Sequence, residues 1–244
     1  MQTVLEVSLQ NGTEVQGSLF FDATQLQRLT SLAPKFISIS QRFQAGRRTI
    51  EALIEEIYQR CYGTRLAHHY PTLMSVHGVA GPVLAAVGFR AATDGPLFLE
   101  QYLERGIEET LGAALGIAVA RNDIVEIGNL ASTGDGASVF LFVALAAYLR
   151  QHDYRYAVVT ATNSLRRTFK FLGFEPVELA MADRSRLPDA GASWGSYYTR
   201  DPRVLASAIA PCFACLERFL PVALNGEIGR MFPPADWQLP DAGR

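Results

Sequence analysis

The stretch IVEIGNLAS (residues 124–132), TGDGA (133–137) and SVFLFVALAAYLRQ (138–151), continued by YRYAVVTAT (154–162) and NSLRRTFKFLGF (163–174), decides how this chain folds. Read in order, it is a buried strand, a glycine-punctuated turn, an apolar helix, a second strand and an Asn-led helix ending in Leu-Gly-Phe. Strand, helix and strand in succession make a crossover between parallel neighbours. Two glycines at the front of a helix let the backbone come close to a ligand and leave amides free for a phosphate.

Working outward, residues 49–65 carry Ile50, Leu53, Ile54, Ile57 and Tyr58 at helical spacing, with Glu51, Glu55 and Glu56 on the other face. Residues 72–79 and 83–91 are apolar runs parted by Gly81-Pro82, which predicts two strands. A helix is expected over 103–115. Strands are expected over 123–131 and 155–160 and near 176–181 and 194–198, and a strand or short helix over 204–209. The first 34 residues hold one expected strand, 3–9, before the Asn11-Gly12 turn signal. Beyond Pro211 the sequence predicts one helix and then a Pro-rich tail over 232–240. The fold class is therefore α/β, a mixed sheet with helices on both faces and a crevice beside the 123–131 strand. Residues 1–46 form a strand and linker of the same domain, 47–210 the core, and 211–244 a helix and tail.

Composition excludes several classes. The 244 residues are 49% hydrophobic and 19% charged, which suits a globular protein with a sizeable core. A formal net charge of −2 argues against general nucleic-acid binding. Three cysteines make no disulfide framework, and Cys212 and Cys215 read as packing residues of an apolar helix. The N-terminus lacks the pattern of a secretory signal, and the run 137–149 is short of a bilayer span, so a cytoplasmic location with no membrane span is expected. His68, His69 and His77 lack a metal-site spacing, so no metal is expected.

Two resemblances bear on function. Asn163 followed by Phe169, Lys170, Phe171, Leu172, Gly173 and Phe174 resembles a signature of the GNAT (GCN5-related N-acetyltransferase) superfamily. Gly134-Asp135-Gly136-Ala137 is similar to that superfamily's pyrophosphate loop. The chain differs from it at Ala131, where a basic residue or Gln is usual, and at Phe169, where a Tyr often acts as general acid. The blocks HHYPTLMSV, GFRAATDGPLFLEQYL, IVEIGNLAS, TATNSLRRTFKFLGF, ADRSRLP and WGSYY, in this order, resemble the thermostable hemolysin family, bacterial proteins with a GNAT-like core. The same blocks also resemble acyl-homoserine-lactone synthases, except that Gly128 and Asn129 stand where an Arg commonly follows the strand Glu. These resemblances imply a GNAT-like acyltransferase fold. They imply transfer of an acyl group from acyl-CoA or an acyl-phosphopantetheine carrier protein to a small-molecule amine. The hemolysin name implies the alternative of a membrane-active protein, and the missing Tyr that of a non-catalytic carrier-binding member.

The candidate residues follow from what thioester aminolysis needs. Glu126, a carboxylate among apolar strand residues, is the candidate general base; an ion pair with Arg90 or Arg121 is the structural alternative. Gly128, Asn129, Leu130 and Ala131 would offer backbone groups to the pantetheine, one amide steadying the oxyanion. Ser132, Thr133, Gly134, Asp135, Gly136 and Ala137 form the candidate anion turn, or an ordinary helix cap. Arg166, with Arg167 and Lys170, would meet phosphates or an acidic carrier protein, and Asn163 would bond the pantetheine or cap its helix. Arg90, Phe98, Trp194 and Tyr197 are the candidate substrate-binding residues.

Overall fold

The computed structural model describes residues 4–221 apart from 12, 13, 67 and 80. In chain order the first strands are β1 (Val4–Asn11), β2 (Glu14–Asp22), β3 (Phe36–Ser40), β4 (Thr72–His77) and β5 (Val83–Ala91). They are followed by β6 (Ile124–Ser132), β7 (Tyr156–Ala161), β8 (Val177–Met181) and β9 (Arg203–Ala208). The helices are α1 (Ala23–Leu26), α2 (Arg47–Tyr62), α3 (Ile107–Leu115), α4 (Ala137–Gln151), α5 (Asn163–Leu172) and α6 (Ile209–Leu216). All nine strands join one sheet in the order β2-β1-β3-β4-β5-β6-β7-β9-β8. Its neighbours are antiparallel except β1 with β3 and β6 with β7. The mixed α/β sheet is thus as the sequence implied.

Strand alternation sends side chains to two covered faces. Met74, Val87, Phe89 and Val125 join one core with α4, α5 and α6. Leu73 and Ala86 pack with Ile50, Ile54 and Ile57 of α2 on the other face, where α3 and the 97–103 segment complete a further cluster. Helix α4 is apolar on nearly every side because it is enclosed on nearly every side. The sheet lies along it, α6 crosses it, and Phe21 of β2 meets Phe140 edge-on at 4.9 Å between ring centres. Among the described residues no helix is long and apolar enough to cross a membrane.

Several expectations are corrected. The N-terminal region holds three strands, not one. β2, interrupted by Gly17, and the short β3 gain their order from pairing that local pattern does not announce. Residues 194–198 are not a strand: 3-10 turns run over Ala192–Trp194 and Tyr197–Arg200. Gly195, at φ 53°, breaks extension there, and a Cβ on it would lie 2.1 Å from the Tyr62 carbonyl oxygen, so the segment presses onto the end of α2. The helix expected over 103–115 begins at Ile107, after a 3-10 turn at Phe98–Tyr102. The last helix begins at Ile209, with Pro211 in its first turn, where its missing N–H costs nothing. The expected tail over 232–240 lies outside the described residues.

The segment between β5 and α3 is tied down by charge. Glu100 accepts the amides of Leu97 (2.7 Å) and Ile107 (2.9 Å) and both terminal nitrogens of Arg121 (2.7 and 2.9 Å). The Arg121 guanidinium first, and those amides after it, hold the Glu100 carboxyl at about 2, below its ordinary 4.5. Because the folded value is depressed, this stabilisation is complete above pH 4.5 and is lost as pH falls through about 2. Burial also lowers His69 and His77 from 6.5, so their contribution is lost as pH falls below 6.5. Urea titrations are therefore expected to show stability declining below pH 6.5 and again below 4.5. Glu100→Gln should flatten the lower limb, worth about 2–3 kcal/mol. An unchanged lower limb in the variant would contradict this assignment.

Candidate active site

The crevice forms where two parallel strands part. β6 and β7 pair only from Ile124↔Tyr156 to Ile127↔Val159, although β6 runs on to Ser132. On its other edge, Ala86 faces Ala131 and Gly88 faces Gly128, so Asn129 and Leu130 together stand against Val87. This is a bulge, with Asn129 at φ 50° as its left-handed residue, a conformation Asn tolerates. The bulge bends β6 away from β7 and leaves the edge of Gly128–Ser132 without a ladder partner on the β7 side. A cavity of about 270 Å³ fills the gap. Gly128, Asn129, Leu130, Ala131 and Ser132 form one wall; Ala157, Val159 and Thr160 of β7 form another. Its far end is apolar, between Leu145 and Leu149 of α4, Leu165 and Phe169 of α5, Phe174 and Ile209.

The turn at the front of α4 has three consecutive left-handed residues, Gly134 (φ 108°), Asp135 (φ 49°) and Gly136 (φ 79°). No side chain caps the helix. The amides of Thr133, Gly134, Ala137 and Val139 find acceptors nearby, whereas those of Asp135, Gly136 and Ser138 bond nothing among the described residues. Three free donors at a helix N-terminus can hold an anion. Residues 133–137 stand off the cavity wall; Ser132 and Ser138 are the residues of this region that reach it. The Thr30 hydroxyl donates to the Asp135 carbonyl oxygen, and a Cβ on Gly136 would meet the Leu29 oxygen at 3.0 Å, so the N-terminal region buttresses the turn.

A second cavity, of about 630 Å³, opens on the α2 side of the sheet. It shares Tyr58, Ile127, Gly128, Asn129, Thr160 and Tyr197 with the first, so the two meet through the parted strands. Arg90, Phe98, Trp194 and Tyr197 all line it. Gly88 and Gly128, opposed across β5 and β6, leave a flat patch that Tyr70 occupies. A Cβ on Gly128 would come within 2.4 Å of that ring, and one on Gly88 within 2.7 Å of Tyr70 Cβ. Asn129 Oδ1 accepts the Tyr70 amide at 2.9 Å and fixes the ring's place. Burial first, and the nearby Glu126 carboxylate second, push the Tyr70 phenol well above its ordinary value.

Glu126, two residues from Gly128 on the same face, lines neither cavity and is 1% exposed where the sequence implied half-burial. Its Oε2 accepts Arg90 Nε at 2.9 Å and the Phe98 amide at 3.0 Å; its Oε1 accepts the Leu99 amide at 2.8 Å. Of the two possible ion pairs, the one with Arg90 forms; Arg121 is taken by Glu100 and Glu108. Asn163 is the first residue of α5 and, like Arg166, stands off both cavities. Arg166 bonds Asn163 Oδ1 and pairs with Asp201 at 2.8 Å, while Thr162, Ser164 and Thr168 are the polar residues that their segment turns to the first cavity, beside Leu165 and Phe169. Tyr58, Tyr62 and Tyr197 also line the first cavity, and burial raises each phenol and so keeps it an O–H donor. Sequence reading missed Tyr70, Tyr58 and Tyr62; glycines two places from Arg90 and from Glu126 were the available sign of an aromatic ring on that face.

The thermostable hemolysin family matches residues 40–213. No curated protein matches the chain. Among solved structures, the AHL synthase LasI aligns with a TM-score of 0.53 at 15% identity, over 76% of this chain and 96% of that one. TofI, in a ternary complex with an inhibitor and MTA, aligns with a TM-score of 0.50 at 14% identity, over 77% and 98%. The catalytic domain of a Tetrahymena GCN5 histone acetyltransferase with coenzyme A also matches, with a TM-score of 0.42 at 15% identity, over 72% and 93%. The likenesses to LasI and TofI show a shared fold.

Proposed function

The chain belongs to the thermostable hemolysin family, and from its joined cavities we propose that it is an N-acyltransferase with a thioester donor and an amine acceptor. The observation that carries this reading is the unpaired β6 edge running into free amides at the front of α4. In this reading the donor is acyl-CoA or acyl-phosphopantetheine. Its anionic end rests on the amides of Asp135, Gly136 and Ser138, and its arm pairs with the edge of Gly128–Ser132. The acyl chain occupies the apolar far end between α4 and β7.

The amine enters from the second cavity and attacks the thioester carbon at the opening. A C–N bond forms and the C–S bond breaks; the amine gives up a proton and the sulfur leaves as a thiol carrying one. A free β6 amide at the bulge steadies the oxyanion. Tyr62, on the wall of the first cavity, is the phenol we assign to protonate the departing sulfur. Glu126 acts as a positioning residue, holding Arg90 and the Phe98–Leu99 turn. The haemolysis that the family's name implies would, in this reading, follow from a detergent-like N-acyl product.

The test is thiol release from acetyl- and dodecanoyl-CoA, and from dodecanoyl carrier protein, over a panel of amines. Acceptor-dependent release with the long-chain donors is expected. Absence of release from every donor, together with liposome leakage by the protein alone, would overturn the enzyme reading in favour of a membrane-active protein.

A further inference from the structure

The charged side chains lining the second cavity are of one sign. Arg42, Arg65 and Arg90 line it with His68 and His69, and no Asp or Glu does. The carboxylates of the adjoining segments are engaged elsewhere, Glu126 by Arg90 and two amides, Glu100 by Arg121 and two amides. Arg42 and Arg65 are exposed and make no ion pair among the described residues.

Arg90 is the fixed member of this set. Glu126 holds its Nε at 2.9 Å, and its guanidinium carbon stands 5.6 Å from the centre of the Tyr70 ring. That ring is itself seated on the Gly88–Gly128 patch. The two Nη atoms bond nothing among the described residues, while the side chain is only 24% exposed. A guanidinium anchored at one nitrogen and on one face presents its remaining N–H groups as a prealigned fork for two coplanar oxygens.

We propose that the second cavity takes the acceptor as an amine bearing a carboxylate beside its amino group, an α-amino acid or close analogue, with the carboxylate on the Nη atoms of Arg90. This rests on the reading of acyl transfer across the joined cavities. Arg90 and Gly128 stand on the same face two residues apart across the β5–β6 pair, so a carboxylate on the first leaves the adjacent amine directed at the opening between β6 and β7. Phe98 and Trp194, 5.4 Å apart, form an apolar wall for the acceptor's side chain.

The test uses the full chain and two ligands that differ only in the carboxylate, N-dodecanoylglycine and N-dodecanoylglycinamide, titrated by calorimetry. The acid is expected to bind about 10- to 100-fold more tightly. Arg90→Gln should bring the two to near parity by weakening the acid alone; should that variant fail to fold, Arg90→Lys is expected to narrow the preference while keeping the charge. Equal or tighter binding of the amide, binding of neither, or a preference that survives these substitutions would overturn the proposal. Because no thioester is involved, selective binding without thiol release would sink the transferase and leave the site standing. Thiol release with neutral amines alone would do the opposite.

Discussion

Replacing Glu126 with alanine is expected to lower the free energy of unfolding by about 3 kcal/mol, measured by urea titration. The carboxylate is buried and satisfies three donors at once, the Arg90 Nε and the amides of Phe98 and Leu99. Its removal strands two amides and releases Arg90, which, being partly exposed, recovers some hydration; the loss therefore falls at the low end for a broken buried pair. Glu126→Gln is milder and suits kinetics. A positioning role predicts that the acceptor KM rises more than about tenfold, since the Arg90 fork loses its anchor, while the donor KM is unmoved. A loss confined to kcat, with the acidic limb of the pH profile erased, would return Glu126 to the role of base.

The second large effect concerns the donor. Ala157 lies on β7 at the apolar end of the first cavity, close to the α4 and α6 side of the sheet. Ala157→Phe fills that end with a ring and is expected to cut thiol release from dodecanoyl-CoA by about 100-fold. Turnover of acetyl-CoA should change by less than about threefold, because a two-carbon group does not reach so far. Overpacking costs about 1–3 kcal/mol in a filled core, less where a void receives the ring, so a thermal melt accompanies the assay. Equal losses with both donors would remove the acyl chain from this part of the molecule.

Much of the core was legible from residues 124–174, because period, glycines and helix ends agree there. The apolar run that opens IVEIGNLAS, an unbroken apolar helix and the Gly173 terminus each point to one structure. β2 and β3 were not legible, since their order comes from partners far along the chain, as in the parallel pairing of β1 with β3. The aromatic run 194–198 misled because aromatic content favours strands, while the left-handed Gly191 and Gly195 decide otherwise. At the site, the chemistry of Glu126 depends on the register Arg90↔Glu126 and on a turn folded back over both, neither of which is a local property. Arg166 shows the same limit: its helix was foreseen, but Asp201 is what claims its charge.

The family match begins at residue 40, yet the loop at the front of α4 leans on Leu29 and Thr30, which precede it. The turn proposed to hold the donor's anionic end is therefore buttressed by residues that lie outside the family match.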